Sequence, residues 1–165
     1  GSMQDKHTKK LTYGGSKKNS IWNPLSFERI KPDNYPKACD VFNGNCVLIP
    51  KAVAHVVGNL NASFTHGIGD YEYGIRAKRN GFAAMIAPGF MGTCDRNSQE
   101  KTYKDKTLNF RKRVVQLSDI KVIPPADEYM KFIRINGGFF WPIYWLRTFI
   151  RKTFPLLWLF LRQKV

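Results

Sequence analysis

The sequence predicts an α/β fold that ends in an amphipathic helical tail. Two short apolar runs, residues 46–49 and 82–87, read as buried strands. Between them, apolar residues at helical spacing mark two helices, each with a glycine near its end. From Phe139 onward the chain is dense in Trp, Phe and Leu, with arginines and lysines interspersed. A length of 165 residues suits one domain with a buried core.

Taken in order, Gly1-Ser2-Met3 reads as a cloning scar and is set aside from fold reasoning. Residues 4–18 are polar and lysine-rich with no apolar segment, so no signal peptide is expected there. Residues 4–36 read as an irregular lead-in: Tyr13-Gly14-Gly15-Ser16 signals a turn, and Pro24, Pro32 and Pro36 punctuate the rest. Regular structure is expected over residues 37–125. Cys46-Val47-Leu48-Ile49 supplies a first buried strand. Pro50 suits the first turn of a helix in which Ala52, Val53, Val56 and Val57 share a spacing, and Gly58 stops it. A second helix starts near Asp70, with Tyr73, Gly74 and Ala77 facing one way and Arg76, Lys78 and Arg79 toward solvent; Gly81 closes it. Phe82 to Ala87 makes the second buried strand, ended by Pro88-Gly89.

Residues 92–113 read as a polar loop and a basic surface segment, and residues 114–123 as a strand or a short helix. Pro124-Pro125 breaks the chain, and a short helix over 127–134 ends at Gly137-Gly138. Residues 126–165 form a helical, basic-aromatic tail. Its longest uncharged stretch, 153–161, is far short of the roughly 20 residues of a spanning helix. Apolar residues recur at Trp145, Leu146, Phe149, Ile150, Leu157, Trp158 and Leu161, and Arg147 and Arg151 lie one turn apart on another face. That is the pattern of a helix lying in a membrane interface, or of one that packs into a core.

The formal net charge of +15 favours an anionic partner: nucleic acid, anionic lipid or a phosphate-bearing substrate. The cluster Lys101, Lys104, Lys106, Arg111, Lys112 and Arg113 could be a nucleic-acid patch or a solvated basic face. No aromatic-rich RNA motif, zinc-finger spacing or helix-turn-helix pattern accompanies it, so no nucleic-acid partner is expected. The cysteines, Cys39, Cys46 and Cys94, are odd in number and form no CxxC pair. A reducing compartment fits better than a disulfide framework. A nucleophilic or metal-binding Cys94 stands beside the plainer reading, a small buried hydrophobe.

Residues 39–98 carry an ordered set of short motifs. Asn43-Gly44-Asn45 leads into Leu48-Ile49-Pro50, and Val57-Gly58 ends a helix. Asp70-Tyr71-Glu72 opens a second helix that continues through Arg76-Ala77 to Gly81, and Ala87-Pro88-Gly89 follows. In that order the set resembles the C-terminal, acceptor-side half of the catalytic domain of bacterial-type family-2 glycosyltransferases, which have the GT-A fold, a mixed-sheet nucleotide-sugar transferase domain. The resemblance implies a partial GT-A domain and an inverting transfer that builds cell-envelope polysaccharide. An acceptor hydroxyl attacks the anomeric carbon of a nucleotide-sugar while a carboxylate takes its proton.

By the same resemblance Asp70 is that carboxylate. A helix N-terminus suits an anion, although an Asp that merely capped the helix would look the same. Asn43, Gly44 and Asn45 would line the acceptor pocket or simply form a tight turn. Glu72 would hold the acceptor or orient Arg76, itself a substrate-binding candidate. Two residues from Asp70, it does not share that residue's helical face, which argues against a metal-binding D-x-E pair. His66 could touch the acceptor or a phosphate, or be incidental, and Arg96 could meet a diphosphate.

Two positions depart from the family pattern: Gly69 stands where many members have Glu, and residues 92–97 contain no His where many members have one that helps bind the metal. Either Cys94, Asp95 or Asn97 would then take a related role, or the site would be closed another way. The family's donor half ends in a DxD motif that holds Mg or Mn against the diphosphate. The chain has no DxD, and too little sequence precedes Cys39 for such a half. Nucleotide-sugar and divalent metal are therefore expected to bind elsewhere, no metal ligand is assigned here, and this piece alone is expected to be inactive. Half of a layered domain exposes sheet edges, so a homodimer or swapped dimer is expected. The expected partners are a saccharide or lipid-linked acceptor and, through residues 139–165, the inner face of the plasma membrane. The protein would be cytoplasmic and peripheral there. The rival readings are a non-catalytic glycan- or membrane-binding module and a basic nucleic-acid-binding protein.

Overall fold

The computed structural model describes residues 1–23, 25–96 and 101–163; Pro24, Asn97, Ser98 and Lys164 lie outside the described residues. The fold is mixed α/β with small sheets. It divides into two compact units: Gly1–Ile21 with Ser26–Arg96, and Trp22–Leu25 with Asn97–Val165.

The first unit holds eight described strands: β1 (Ser2–Gln4), β2 (Leu11–Tyr13), β3 (Gly15–Lys18), β4 (Phe27–Arg29), β5 (Lys37–Cys39), β6 (Val41–Phe42), β7 (Ala84–Ile86) and β8 (Phe90–Thr93). The lead-in expected to be irregular thus contains short strands, and Ser2 and Met3, set aside as a scar, take part in β1. β1 is the middle strand of a sheet ordered β2-β1-β8, antiparallel to β2 and parallel to β8, and Ser2 is fully buried. β3 is the middle strand of an antiparallel sheet ordered β4-β3-β6, and β5 pairs antiparallel with β7. These strands have two to four residues and include several lysines, so no apolar alternation marks them. Gly15 does more than turn the chain: a Cβ there would lie 2.6 Å from Ile86 Cγ2 and 2.8 Å from Cys39 Sγ.

Residues 46–49 are not the expected buried strand. β6 stops at Phe42, a turn follows, and the apolar run passes over a cavity of ≈ 220 Å3 that Val53, Phe82 and Ile86 also line. Leu48 is 93% exposed. The run lacks ladder partners, so its side chains roof a hollow and do not enter a sheet.

Helix α1 (Lys51–Val57) begins after Pro50 and ends at Gly58, whose φ of 78° is the left-handed value that glycine tolerates. Helix α2 (Gly67–Arg79) starts one turn earlier than expected: Ile68 and Gly69 are buried in that first turn, and a Cβ on Gly69 would lie 3.5 Å from the Phe64 carbonyl oxygen. Gly74 lets α2 approach β6; a Cβ would sit 3.2 Å from Val41 Cα. Val57, Tyr73 and Ala77 form the core, with Phe42, Val53 and Phe82 against them. β7 is shorter than the run expected at 82–87, and only Ile86 in it is buried.

The second unit contains α3 (Phe110–Val115), a 3-10 turn (Gln116–Ser118), α4 (Ala126–Asn136), α5 (Trp141–Thr153) and α6 (Pro155–Gln163). The undecided stretch 114–123 is helical at its start. The Asn109 side chain caps α3, accepting from the Lys112 N–H at 2.9 Å. The tail is two helices, not one, because Pro155 lacks the N–H that would continue α5 and suits a helix start. Tyr103, Ile123, Trp158 and Leu159 form the core, packed by Phe110, Val114 and Ile150.

The expected division of the tail into faces is also corrected. Arg151 is buried: it donates to the Pro124 carbonyl at 2.9 Å and lies over the Tyr129 ring. Leu146, Leu157 and Leu161 are about half exposed. A guanidinium can turn inward where a carbonyl and an aromatic face replace water. Among the described residues, no helix is long and apolar enough to cross a membrane.

Candidate functional site

Asp70 sits in the first turn of α2 and does not cap it. The cap position is His66, which makes no side-chain cap bond. The Asp70 carboxylate reaches across to the 43–45 turn and accepts the Gly44 N–H at 2.7 Å through Oδ2. Capping would have aimed the carboxylate at its own helix; here it faces a different segment. The approach depends on glycine, since a Cβ on residue 44 would lie 2.7 Å from Asp70 Oδ1. Burial raises the Asp70 pKa, while the Gly44 N–H and the nearby His66 hold it down. The carboxylate is therefore half-sheltered, anchored through one oxygen, and more basic than an exposed aspartate.

The turn is fixed on each side. Asn43 N–H donates to the Gly14 carbonyl at 3.0 Å, and its side-chain Oδ1 is buried without a hydrogen-bond partner. Asn45 Nδ2 donates to Cys94 Sγ at 3.3 Å, tying the turn to the end of β8. His66 is exposed, with a φ of 51° that bends the chain into α2. The structure thus brings Asp70, Gly44 and His66 together, with Asn43 and Asn45 as the supports of the turn.

Glu72 and Arg76 go elsewhere. Arg76 was expected toward solvent and turns inward. Its Nε donates to Glu72 Oε1 at 2.9 Å, and its other nitrogens donate to the Val57 and Asn59 carbonyls. Glu72 is buried. The pair closes the C-terminal end of α1 onto α2, where the last carbonyls of a helix need donors. Those bonds use the groups that would otherwise reach a substrate.

Among the residues proposed to replace the absent His, Cys94 accepts from Asn45, and Asp95 Oδ1 accepts the Lys6 N–H at 2.8 Å. Asn97 lies outside the described residues. Arg96 is exposed, and its charge acts on Arg29, whose pKa is lowered first by burial and further by Arg96. Arg29 lies over the Tyr13 ring, donates to the Thr12 carbonyl, and keeps a buried, unpartnered Nε. Sequence reasoning missed Arg29, because nothing in the short strand β4 distinguishes it from other surface cations. All three cysteines are free, and burial raises the Cys39 thiol, as suits a small core residue.

A divalent cation does not fit these side chains alone. Among the described residues no three His, Cys, Asp or Glu groups stand together, and Asp70 already spends one oxygen on Gly44. Magnesium or manganese would need further carboxylate or phosphate oxygens.

No protein-family model matches the chain, and neither a curated protein nor a solved structure does.

Proposed function

We propose that the first unit is the acceptor side of an inverting sugar transferase, a partial GT-A domain in which Asp70 takes the proton from the attacking hydroxyl. The observation that carries this reading is the Asp70–Gly44 contact, made between the two motifs that suggested the family. A base needs an oriented carboxylate, one free oxygen and a pKa shifted toward the working pH. Asp70 Oδ2 is held by Gly44, Oδ1 is left for the acceptor O–H, and burial favours the proton. The transferred proton would rest on Asp70 as the acceptor oxygen bonds to the anomeric carbon and the nucleotide diphosphate departs. Donor and any divalent metal would be bound by a complementary donor half, so these residues alone would bind acceptor without turnover.

The test is Asp70→Asn in a full-length enzyme that includes the donor half. Asparagine can still accept the Gly44 N–H but cannot take a proton at neutral pH. Transfer should fall by about 10²–10⁴-fold with acceptor binding retained. Near-normal turnover would remove Asp70 as the base.

A second reading, attachment to a membrane surface through the tail, is favoured by the exposure of Ile143, Leu146, Leu157 and Leu161 on α5 and α6. The two readings are compatible, since a lipid-linked acceptor would be met at the cytoplasmic face of the membrane.

A further inference from the structure

The second unit has two adjoining hollows of opposite character. A chamber of ≈ 380 Å3 is bordered by Arg147, Arg151 and Arg162 and by the rings of Tyr103, Tyr129 and Trp158. A groove of ≈ 650 Å3 lies between α5 and α6, with Ile143, Leu146, Ile150 and Leu161 along it. Arg147, Trp158 and Arg162 border both. The two hollows therefore adjoin across Arg147, Trp158 and Arg162, one cationic and the other apolar.

The arginines are positioned but not neutralised. Arg151 is held by the Pro124 carbonyl and the Tyr129 ring, and Arg162 lies over Trp158 and Tyr103, 5.0 and 5.7 Å from the ring centres. Among the described residues none of the three forms an ion pair, and no carboxylate borders the chamber. Nearby acids are engaged: Asp127 pairs with Lys152, and Asp105 accepts from Lys101 and Thr107 in its own loop. Guanidinium groups around one small cavity repel each other; Arg151 is buried and loses the water that would screen it, while Arg147 and Arg162 are exposed. Burial already lowers the Arg151 pKa, and Arg162 acts in the same direction. An anion in the chamber would relieve both effects, and planar guanidinium donors match the oxygens of a phosphate. At the other end, Ile143 and Leu146 are left facing water, where a hydrocarbon chain would cover them.

We propose that the second unit binds one lipid phosphate, with its phosphate group among Arg147, Arg151 and Arg162 and its hydrocarbon chain in the groove between α5 and α6. Inorganic phosphate would occupy only the cationic end, and an uncharged lipid only the apolar end. The site uses no residue of the first unit, so it stands or falls apart from the transferase reading.

Isothermal titration of the whole chain with farnesyl phosphate, kept below its micellar concentration, tests this. The expected result is one molecule bound per chain, at least about a hundredfold tighter than inorganic phosphate or farnesol, since each buried methylene contributes several-fold. Arg147→Gln, at an arginine without an ion pair, should weaken binding at least about tenfold. Leu146→Asn, which adds no charge beside Arg147, should weaken farnesyl phosphate while leaving inorganic phosphate unchanged. Asp70→Asn should bind farnesyl phosphate as the parent does, whatever its transfer activity. Equal affinity for farnesyl phosphate and either half-ligand overturns the proposal, as does an unchanged affinity in Arg147→Gln. Binding only to phosphatidylglycerol vesicles, with none to monomeric farnesyl phosphate, also overturns it and leaves surface attachment as the role of the tail.

Discussion

Replacing Gly44 with alanine asks whether the 43–45 turn holds Asp70. The added Cβ would lie 2.7 Å from Asp70 Oδ1 and 3.1 Å from Cγ, inside van der Waals contact. Either the turn retreats or the carboxylate rotates, and each lengthens the 2.7 Å bond from the Gly44 N–H. A hydrogen bond to a charged group contributes about 1.5–3 kcal/mol. Gly44 is exposed, so solvent screening selects the lower end, about 1.5 kcal/mol. In a chain of this length that lowers the melting temperature by about 3–6 °C. Circular dichroism measures the melting, and NMR of the Asp70 carboxyl measures its titration. Burial raises the folded pKa of Asp70, and the Gly44 N–H opposes that rise. Weakening the bond must therefore raise the folded pKa further. A group with a raised folded pKa holds its proton more tightly in the folded state. Its stabilising contribution is complete below the unfolded pKa and is lost as pH rises through the folded one. The variant should accordingly lose more stability than the parent between the ordinary carboxylate range and neutrality, and the gap should close in acid. Unchanged melting together with an unmoved Asp70 titration would refute the idea that the turn orients this carboxylate.

Arg76→Ala should destabilise the chain by about 3 kcal/mol, because it strands the buried Glu72 carboxylate and takes donors from two carbonyls. Denaturant titration checks it, and an unchanged midpoint would return Arg76 to the role of a substrate contact. Gly15→Ala should cost about 2 kcal/mol through overpacking against Ile86 and Cys39. Gly67→Ala, where a Cβ meets nothing within 4 Å, is the control and should lose nothing in the same melting experiment.

What could be read from sequence was what depends on near neighbours. Pro50, Gly58 and the apolar spacing between them mark α1 because helix bonds span four residues. The motif around Asp70 marked the helix, one turn late at its start, and the Asn43-Gly44-Asn45 motif marked the turn that meets it. β1 through β4 were missed because strands of three or four residues are too short to show apolar alternation, β3 ends in two lysines, and β1 and β3 also pair far along the chain, with β8 and β6. The run at 46–49 misled for the opposite reason, since hydrophobicity alone does not supply a ladder partner. By charge, Arg76 was assigned to solvent and Arg151 to a basic helix face. Each finds carbonyls and a partner inside, Glu72 for the first and the Tyr129 ring for the second, and no local pattern announces such partners.

The parallel pairing of β1 with β8 sets an order of events during synthesis. Ser2–Gln4 leads the first unit, and Phe90–Thr93 comes almost at its end. At ordinary translation rates, roughly 5–20 s separate the emergence of the two strands. Through that interval the nascent chain can complete its β1–β2 hairpin but leaves one side of β1 open to any neighbouring strand. Closing so long a loop late is slower than pairing near neighbours, so β1 keeps an open edge longer than the strands paired locally. A truncation before residue 90 would release a chain whose central strand lacks its parallel neighbour, and a pause there would prolong the same exposure.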